Sequence, residues 1–280
     1  MSKRLLGQGG ALTPGVAVSA AIAALVLAAS GALVGCAGVR LEDAGVGGRT
    51  GITVGMGGHS GDSSQCDKKL AATVRDFRGF LTIPDQPRHP DFEFAVGPLS
   101  GIVKNIIGGD RKPVYAPPGA TAVTNGADYF NQWYRDVAGV NQLFSVDIPL
   151  TPDPNRDGVF VFDSDAFFPI DDKGWGNQYQ SHNYDFTTEV HFKFPYGGGE
   201  VFTFRGDDDV WVFVNDKLAI DLGGVHEAET GSVDLDKQAT ALGITPGKTY
   251  QMDIFHAERH VASSTFHVET TLGCITNIVP

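Results

Sequence analysis

Residues 204–226 read FRGDDDVWVFVNDKLAIDLGGVH. Val210, Trp211, Val212, Phe213 and Val214 are β-branched or aromatic throughout, with no polar alternation, which predicts a strand buried on both faces. Asp207, Asp208 and Asp209 are thereby placed at the rim where that strand enters the core. Neighbouring carboxylates raise one another's pKa, and full ionisation of all three is best tolerated beside a cation. Calcium, a hard ion that takes oxygen ligands, suits them, so all three are candidate metal ligands. The other reading is a solvated acidic loop that satisfies backbone amides, with Arg205 as its counter-ion. After the strand, Asn215-Asp216 is a turn signal and Leu218-Ala219-Ile220 a second strand. Gly223-Gly224 then turns toward His226.

Outward from this stretch the pattern repeats in shorter pieces. Val190, Phe192 and Phe194 alternate with His191 and Lys193. A Gly197–Gly199 turn leads to Phe202 and Phe204, which alternate with Thr203 and Arg205. Tyr250, Met252 and Ile254 alternate with Gln251 and Asp253 after Pro246-Gly247, and Phe266 and Val268 alternate near the end. Short amphipathic strands between turns predict an all-β fold, an antiparallel sandwich. One short helix is expected where Phe130, Trp133, Tyr134 and Val137 recur at i, i+3, i+4 and i+7. Thr124 or Asn125 would be its N-cap and Gly139 its end. Its aromatic stripe reads as core.

The N-terminus has Lys3 and Arg4, an apolar run from Val16 to Ala29, then Leu33-Val34-Gly35-Cys36. That order is the layout of a secretory signal, and its end resembles a bacterial lipobox. Residues 1–35 are then expected to be removed and Cys36 lipidated, with acyl chains enough for stable anchoring. The protein would be exported and lipid-anchored to the bacterial cell envelope, facing the periplasm or the cell surface. Removal takes away Lys3 and Arg4 and moves the net charge from −12 to −14. So acidic a surface argues against nucleic acid, and against any membrane contact other than the lipid anchor. Residues 36–65 are Gly- and Ser-rich and read as a flexible tether. Residues 66–274 then form one domain and 275–280 a tail. Cys66 and Cys274, at either end of the domain, read as a disulfide in an oxidising compartment.

Two further patterns invite chemistry. Asp153-Pro-Asn155-Arg-Asp157-Gly158 begins like an EF-hand loop, but Ser164 stands where a bidentate Glu belongs and Pro154 interrupts it. A polar turn feeding the strand Val159–Phe162 is the better reading. His256-Ala-Glu258-Arg-His260 has the Glu of a zinc-protease motif misplaced and continues a strand rather than a helix. A local Glu258–Arg259 ion pair is expected there, with the histidines bonded to nearby loops. A nucleophile elbow, a P-loop and a dinucleotide fingerprint are all absent from the sequence. No catalytic residues are assigned, and the chain reads as a binding protein rather than an enzyme.

GDDDVWVFVNDKLAIDLGGVH, Ser232-Val233-Asp234-Leu235 and DIFHAERH from Asp253 together resemble the fibro-slime domain. RDF at Arg75, HPDFE at His89, FNQWYRDVAGVN at Phe130 and HNYDFTTEVHFKF at His182 belong to the same resemblance, which spans Ala71 to Leu272. It implies kinship with the protective-antigen-type β-sandwich modules of toxins, glycosidases and adhesins. It also implies, from the lectins of that group, that Asp207 and Asp208 hold calcium across a cis peptide and that the ion binds sugar hydroxyls. Asp209 stands where the group often has Gly. Asp221, His226 and Glu258 fall inside the shared motifs, and His226 is taken as a candidate ligand-binding residue. Trp175, in GWGNQ, is the candidate aromatic for sugar stacking, whereas Trp211 lies in the buried run. The implied function is a cell-surface lipoprotein that binds a surface or matrix polysaccharide through calcium, in adhesion or extracellular matrix. The alternative is a structural surface protein making protein–protein contacts, with calcium only stiffening a loop.

Overall fold

The computed structural model describes residues 66–79 and 87–279. In chain order, the first strands and helix are β1 (Lys69–Phe77), β2 (Gly97–Pro98), α1 (Ala127–Phe130), β3 (Asn141–Pro149), β4 (Thr151–Pro152) and β5 (Phe160–Ser164). β6 (Phe186–Tyr196), β7 (Val201–Gly206), β8 (Asp209–Val214), β9 (Lys217–Leu222), β10 (Gly224–Val225) and β11 (Glu229–Asp234) follow. α2 (Leu235–Leu242), β12 (Lys248–Glu258), β13 (Phe266–Thr270) and β14 (Thr276–Asn277) complete the chain. One sheet runs β3-β1-β6-β12-β8-β9, with β14 added beside β6, and the other runs β11-β7-β13-β5-β4. All pairings within them are antiparallel. The fold is the antiparallel β-sandwich that the alternating strands imply.

The buried run of β8 is explained by two cores on opposite faces of one sheet. Val210, Val212 and Val214 face the second sheet, in a cluster with Phe192, Ile254, Phe204 and Phe266. Trp211 and Phe213 face the other way, against Phe92, Phe130, Trp133 and Tyr134 from the segment before β3. Burying an aromatic or branched side chain is worth about 2–3 kcal/mol. A strand covered on both faces therefore needs an unbroken apolar sequence.

The expected helix is real for one turn only. α1 ends at Phe130 and its N-cap is Gly126, with no side-chain cap. The Asn141 side chain then donates to the Gln132 and Arg135 carbonyls (3.0 and 2.8 Å) and accepts from Val137 N–H (3.1 Å). Those are the groups a continuing helix would have paired internally, so the chain turns instead. The aromatic stripe is nonetheless core, with Phe130, Trp133 and Tyr134 all buried. A second helix, α2, was not expected. Asp234 caps it by accepting from Lys237 N–H, and Gly243 closes it at φ 70°. Only Leu235 and Leu242 of this helix are buried, which leaves no i, i+3, i+4 pattern to read.

Cys66 and Cys274 form a disulfide across 208 residues of sequence, worth about 5 kcal/mol on the chain-entropy account. The expected tail does not hang free: Thr276–Asn277 pairs with β6, and Ile278 N–H donates to the His191 carbonyl at 2.9 Å. A short strand beside the disulfide satisfies backbone groups that a tail would leave to water. The signal segment, Cys36 and the tether lie outside the described residues. Among the described residues no helix is long and apolar enough to cross a membrane.

Candidate functional site

The acidic triplet is the crossing between the two sheets. β7 ends at Gly206 in one sheet and β8 begins at Asp209 in the other. Beside it, the chain crosses back from Glu258, the end of β12, to Phe266, the start of β13. Register brings the crossings together, since Asp209 pairs with Ala257 and Gly206 with Phe266. Loops gathered at one end of a rigid sandwich are a usual place for binding residues.

Each aspartate of the triplet has its own partners. Asp207 accepts from the Ser263 hydroxyl at 2.6 Å and from Thr265 N–H. Asp208 accepts from Arg259 N–H at 2.6 Å and has φ +56°, a left-handed conformation that Asp tolerates better than most residues. Asp209 accepts from Arg259 Nε at 2.6 Å and from Gly224 N–H at 2.7 Å. Gly224 itself has φ +97°, and a Cβ there would lie 2.4 Å from the Gly97 carbonyl, so the donor approaches only because it is glycine. All three carboxylates are nearly fully buried. The expected cis link is not there: the described residues contain no cis peptide bond.

The counter-ion is Arg259, not Arg205. Arg259 is completely buried; its Nη1 donates to the Asp91 and Val123 carbonyls at 2.8 and 3.0 Å. Its guanidinium lies 4.6 Å from the Trp133 ring centre. Arg205 instead pairs with Asp165 at 2.9 Å. Because Arg259 turns to Asp209, the expected Glu258–Arg259 pair does not form. Asp209 is thereby committed to a structural ion pair, which removes it from the candidate metal ligands.

Glu258 is the unexpected member. It is fully buried, and among the described residues neither carboxylate oxygen has a hydrogen-bond partner. Ser264, beside it, donates its hydroxyl to the Phe167 carbonyl at 2.8 Å. Burial pushes the Glu258 carboxyl well above its usual range, and the charges of Asp208 and Asp207 push the same way, with the nearby Ser264 hydroxyl and His260 amide opposing only in part. Asp208 is raised too, by burial first, with Arg259 opposing and Asp209 adding to the rise. His256, two residues back on the same face, is ringed by Phe167, Phe186, Phe204 and Phe266. Its ring nitrogens also lack partners, correcting the expectation that it bonds to a loop, and burial drives it down to about 4 despite Asp207 and Asp209. The signal was present in the sequence. Met252 and Ile254 face the core, so period-two alternation sends His256 and Glu258 inward as well.

Other candidates are placed less favourably for binding. Trp175 lies at the same end of the sheet, because Asp76, which accepts from its N–H at 2.5 Å, pairs with Phe186, and Phe186 pairs with Glu258. Its ring is covered by the Arg78 guanidinium at 4.1 Å and is only part exposed. His226 is nearly buried, with its ring nitrogens 2.8 and 3.3 Å from the Glu227 and Leu222 carbonyls. Asp221 accepts from Trp211 Nε1 and Gly101 N–H, at 2.9 and 2.8 Å. The EF-hand-like stretch is a polar turn between β4 and β5, where Asp153 accepts from Asn155 N–H at 2.8 Å and from Arg156. His260 Nδ1 lies 2.9 Å from the Val261 carbonyl. Among the described residues no group of three or more His, Cys, Asp or Glu side chains forms a ready-made metal cage.

With this geometry in hand, a family model of the PA14 domain matches residues 139–278, half of the chain. That interval holds every strand from β3 to β14, together with both crossings at the acidic rim. Among curated proteins, the chain is 37% identical to protein psiR of Dictyostelium discoideum over 202 residues, 66% of this chain and 20% of that protein. It is 37% identical to protein psiD of the same organism over 221 residues, 73% of this chain and 41% of that protein. It therefore spans less than half the length of these relatives. Among solved structures, the PA14 sugar-binding domain from an RTX adhesin overlaps 75% of this chain and 95% of its own, at 9% identity and a TM-score of 0.30. So loose an overlap speaks to neither site nor ligand.

Proposed function

This chain belongs to the PA14 domain family, and from that premise we propose that it is a carbohydrate-binding module using calcium held by Asp207 and Asp208. It binds rather than catalyses, its ligand is a surface or matrix polysaccharide, and it is exported and held at the envelope through a lipid on Cys36. One observation carries the reading: Asp207, Asp208, Asp209 and Glu258 are all buried at the two crossings, while the buried guanidinium there, Arg259, is paired with Asp209. Burying unbalanced charge costs several kcal/mol per ion, so this rim requires either protons or a cation.

The donor chemistry fits calcium. The available groups are carboxylate oxygens at a rim, and calcium accepts six to eight oxygens in flexible geometry. A bound ion would supply open coordination positions to sugar hydroxyls. In this arrangement Asp207 is oriented by Ser263 and Thr265, and Asp208 by the Arg259 amide. Asp209 and Arg259 hold the crossing in place. The test is binding of the full chain to a panel of polysaccharides in calcium and in chelator. Retention lost both in chelator and in Asp207→Asn/Asp208→Asn supports the reading. Retention indifferent to both would sink the calcium site, and a protein that retains no polysaccharide but pulls down a protein partner would favour the structural alternative.

A further inference from the structure

We propose that Glu258 is a metal-ligating residue, closing the inner side of the cation site formed by Asp207 and Asp208. The inference rests on the calcium reading and goes beyond it, because neither sequence nor family assigned a ligand on β12. Its first support is burial without a hydrogen bond, the nearby Ser264 hydroxyl being donated to the Phe167 carbonyl instead. Glu258 is fully buried, and both its oxygens lack hydrogen-bond partners among the described residues. Buried acceptors are almost always satisfied, so an orphaned carboxylate calls for a missing donor or ion.

Its second support is position. Arg259 N–H reaches Asp208 Oδ2 at 2.6 Å, so the residue following Glu258 is already bonded to the acidic crossing. The charges that act most strongly on Glu258 belong to Asp208 and Asp207. Arg259 offers no neutralisation, because its side chain leaves the strand on the opposite face, toward Asp209, Trp133 and the Asp91 and Val123 carbonyls.

Its third support is freedom of movement. Asp207 is pinned by two donors and Asp208 by one, whereas Glu258 has no such anchor and one more side-chain torsion than Asp. Among the described residues the three carboxylates do not form a closed cage, so ligation requires the Glu258 side chain to turn toward the ion. An all-oxygen set of this kind selects calcium over softer metals. His256, neutral and enclosed by four phenylalanine rings, stands behind the site rather than in it.

Calorimetric titration of the full chain with calcium chloride tests the idea, with wild type, Glu258→Gln and Asp207→Asn/Asp208→Asn in parallel. The expected result is saturable binding by wild type, weakened at least about ten-fold in Glu258→Gln. Calcium should raise the melting temperature of wild type and not of Glu258→Gln, while both melt alike, or the variant higher, in chelator. Equal affinity of wild type and Glu258→Gln would overturn the role of Glu258 and leave the calcium site standing. No binding by wild type would bring down the calcium reading and this inference together. If Glu258→Gln does not fold, Glu258→Asp keeps the charge and shortens the reach; it too should bind more weakly, and wild-type affinity there would overturn the proposal.

Discussion

Two buried ionic clusters lie along the same sheet, and they are built on different rules. On the face covered by the segment before β3, Glu189 pairs with Arg75 at 2.6 Å, with Lys112 and with His191. His191 Nδ1 reaches Asp253 at 2.6 Å, and Asp253 also takes Arg111 and Gln251. Every carboxylate there meets a cation. At the acidic rim, Asp209 takes Arg259, Asp207 and Asp208 take hydroxyl and amide donors, and the Glu258 oxygens have no hydrogen-bond partner among the described residues. Burial of charge is common to both clusters, so it marks neither as functional. The imbalance separates them, because a balanced network is complete as a staple while an unbalanced one is complete only with a proton or a ligand.

The most severe way to break the contrast is to remove the one cation at the rim. Arg259→Met should destabilise by about 3–5 kcal/mol, the range for stripping one partner from a buried pair, read as a fall in the urea midpoint. A rise would mean that Arg259 is dispensable and the rim far less charged than its four carboxyl groups imply. Next comes a matched pair of neutral substitutions. Glu189→Gln should cost about 2–3 kcal/mol, since it takes a charged acceptor from three donors. Glu258→Gln, in chelator, should cost nothing or stabilise. Equal losses from the two would erase the distinction between the clusters.

Proton linkage separates the clusters more finely. Burial tends to raise Glu189, but His191, Arg75 and Lys112 hold it at about 2, below the usual 4.5. Burial tends to lower His191, yet Asp253 and Glu189 raise it above 6.5. The Glu189 contribution is thus present above pH 4.5 and lost on the way down to about 2, and the His191 contribution is present below 6.5 and lost as pH rises past it. Glu258 and Asp208 are raised, so their contribution is present below 4.5 and 3.8 and lost as pH rises through their folded values. In chelator, Glu258→Gln should therefore flatten the loss of stability above pH 4.5, and Glu189→Gln the loss below it. Melting curves across pH check both, and interchanged effects would refute the assignment.

The smallest effect concerns the loop bearing Trp175. Burial lifts Asp76 to about 7 against the Asn183 and Trp175 hydrogen bonds, so its stabilising contribution is lost between pH 3.8 and about 7. Trp175 emission should shift with a midpoint near that pH, and Asp76→Asn should abolish the shift. An emission that does not change with pH would uncouple Asp76 from the loop.

Much of this was legible from local pattern. The run 210–214, the alternation in β6, β7 and β12, and the position of Cys66 and Cys274 at the ends of the domain follow from periodicity and spacing, which report which side of a strand is buried. The helix after Asn125 was legible only as an apolar stripe. Its backbone was decided by Asn141, whose side chain captures the carbonyls of Gln132 and Arg135. The rim was legible as charge, not as pairing.

The sequence by itself determined that strands with apolar faces would pack into an antiparallel sandwich and that three carboxylates would stand at the start of its most buried strand. Those properties depend on neighbours one or two residues apart. Only the tertiary structure decided that Arg259, 50 residues beyond Asp209, serves Asp209 rather than its neighbour Glu258. Strand alternation sets Glu258 and Arg259 on opposite faces, but which group meets Arg259 there turns on the register between β8 and β12 and on two chain crossings that meet in space, which no local pattern encodes.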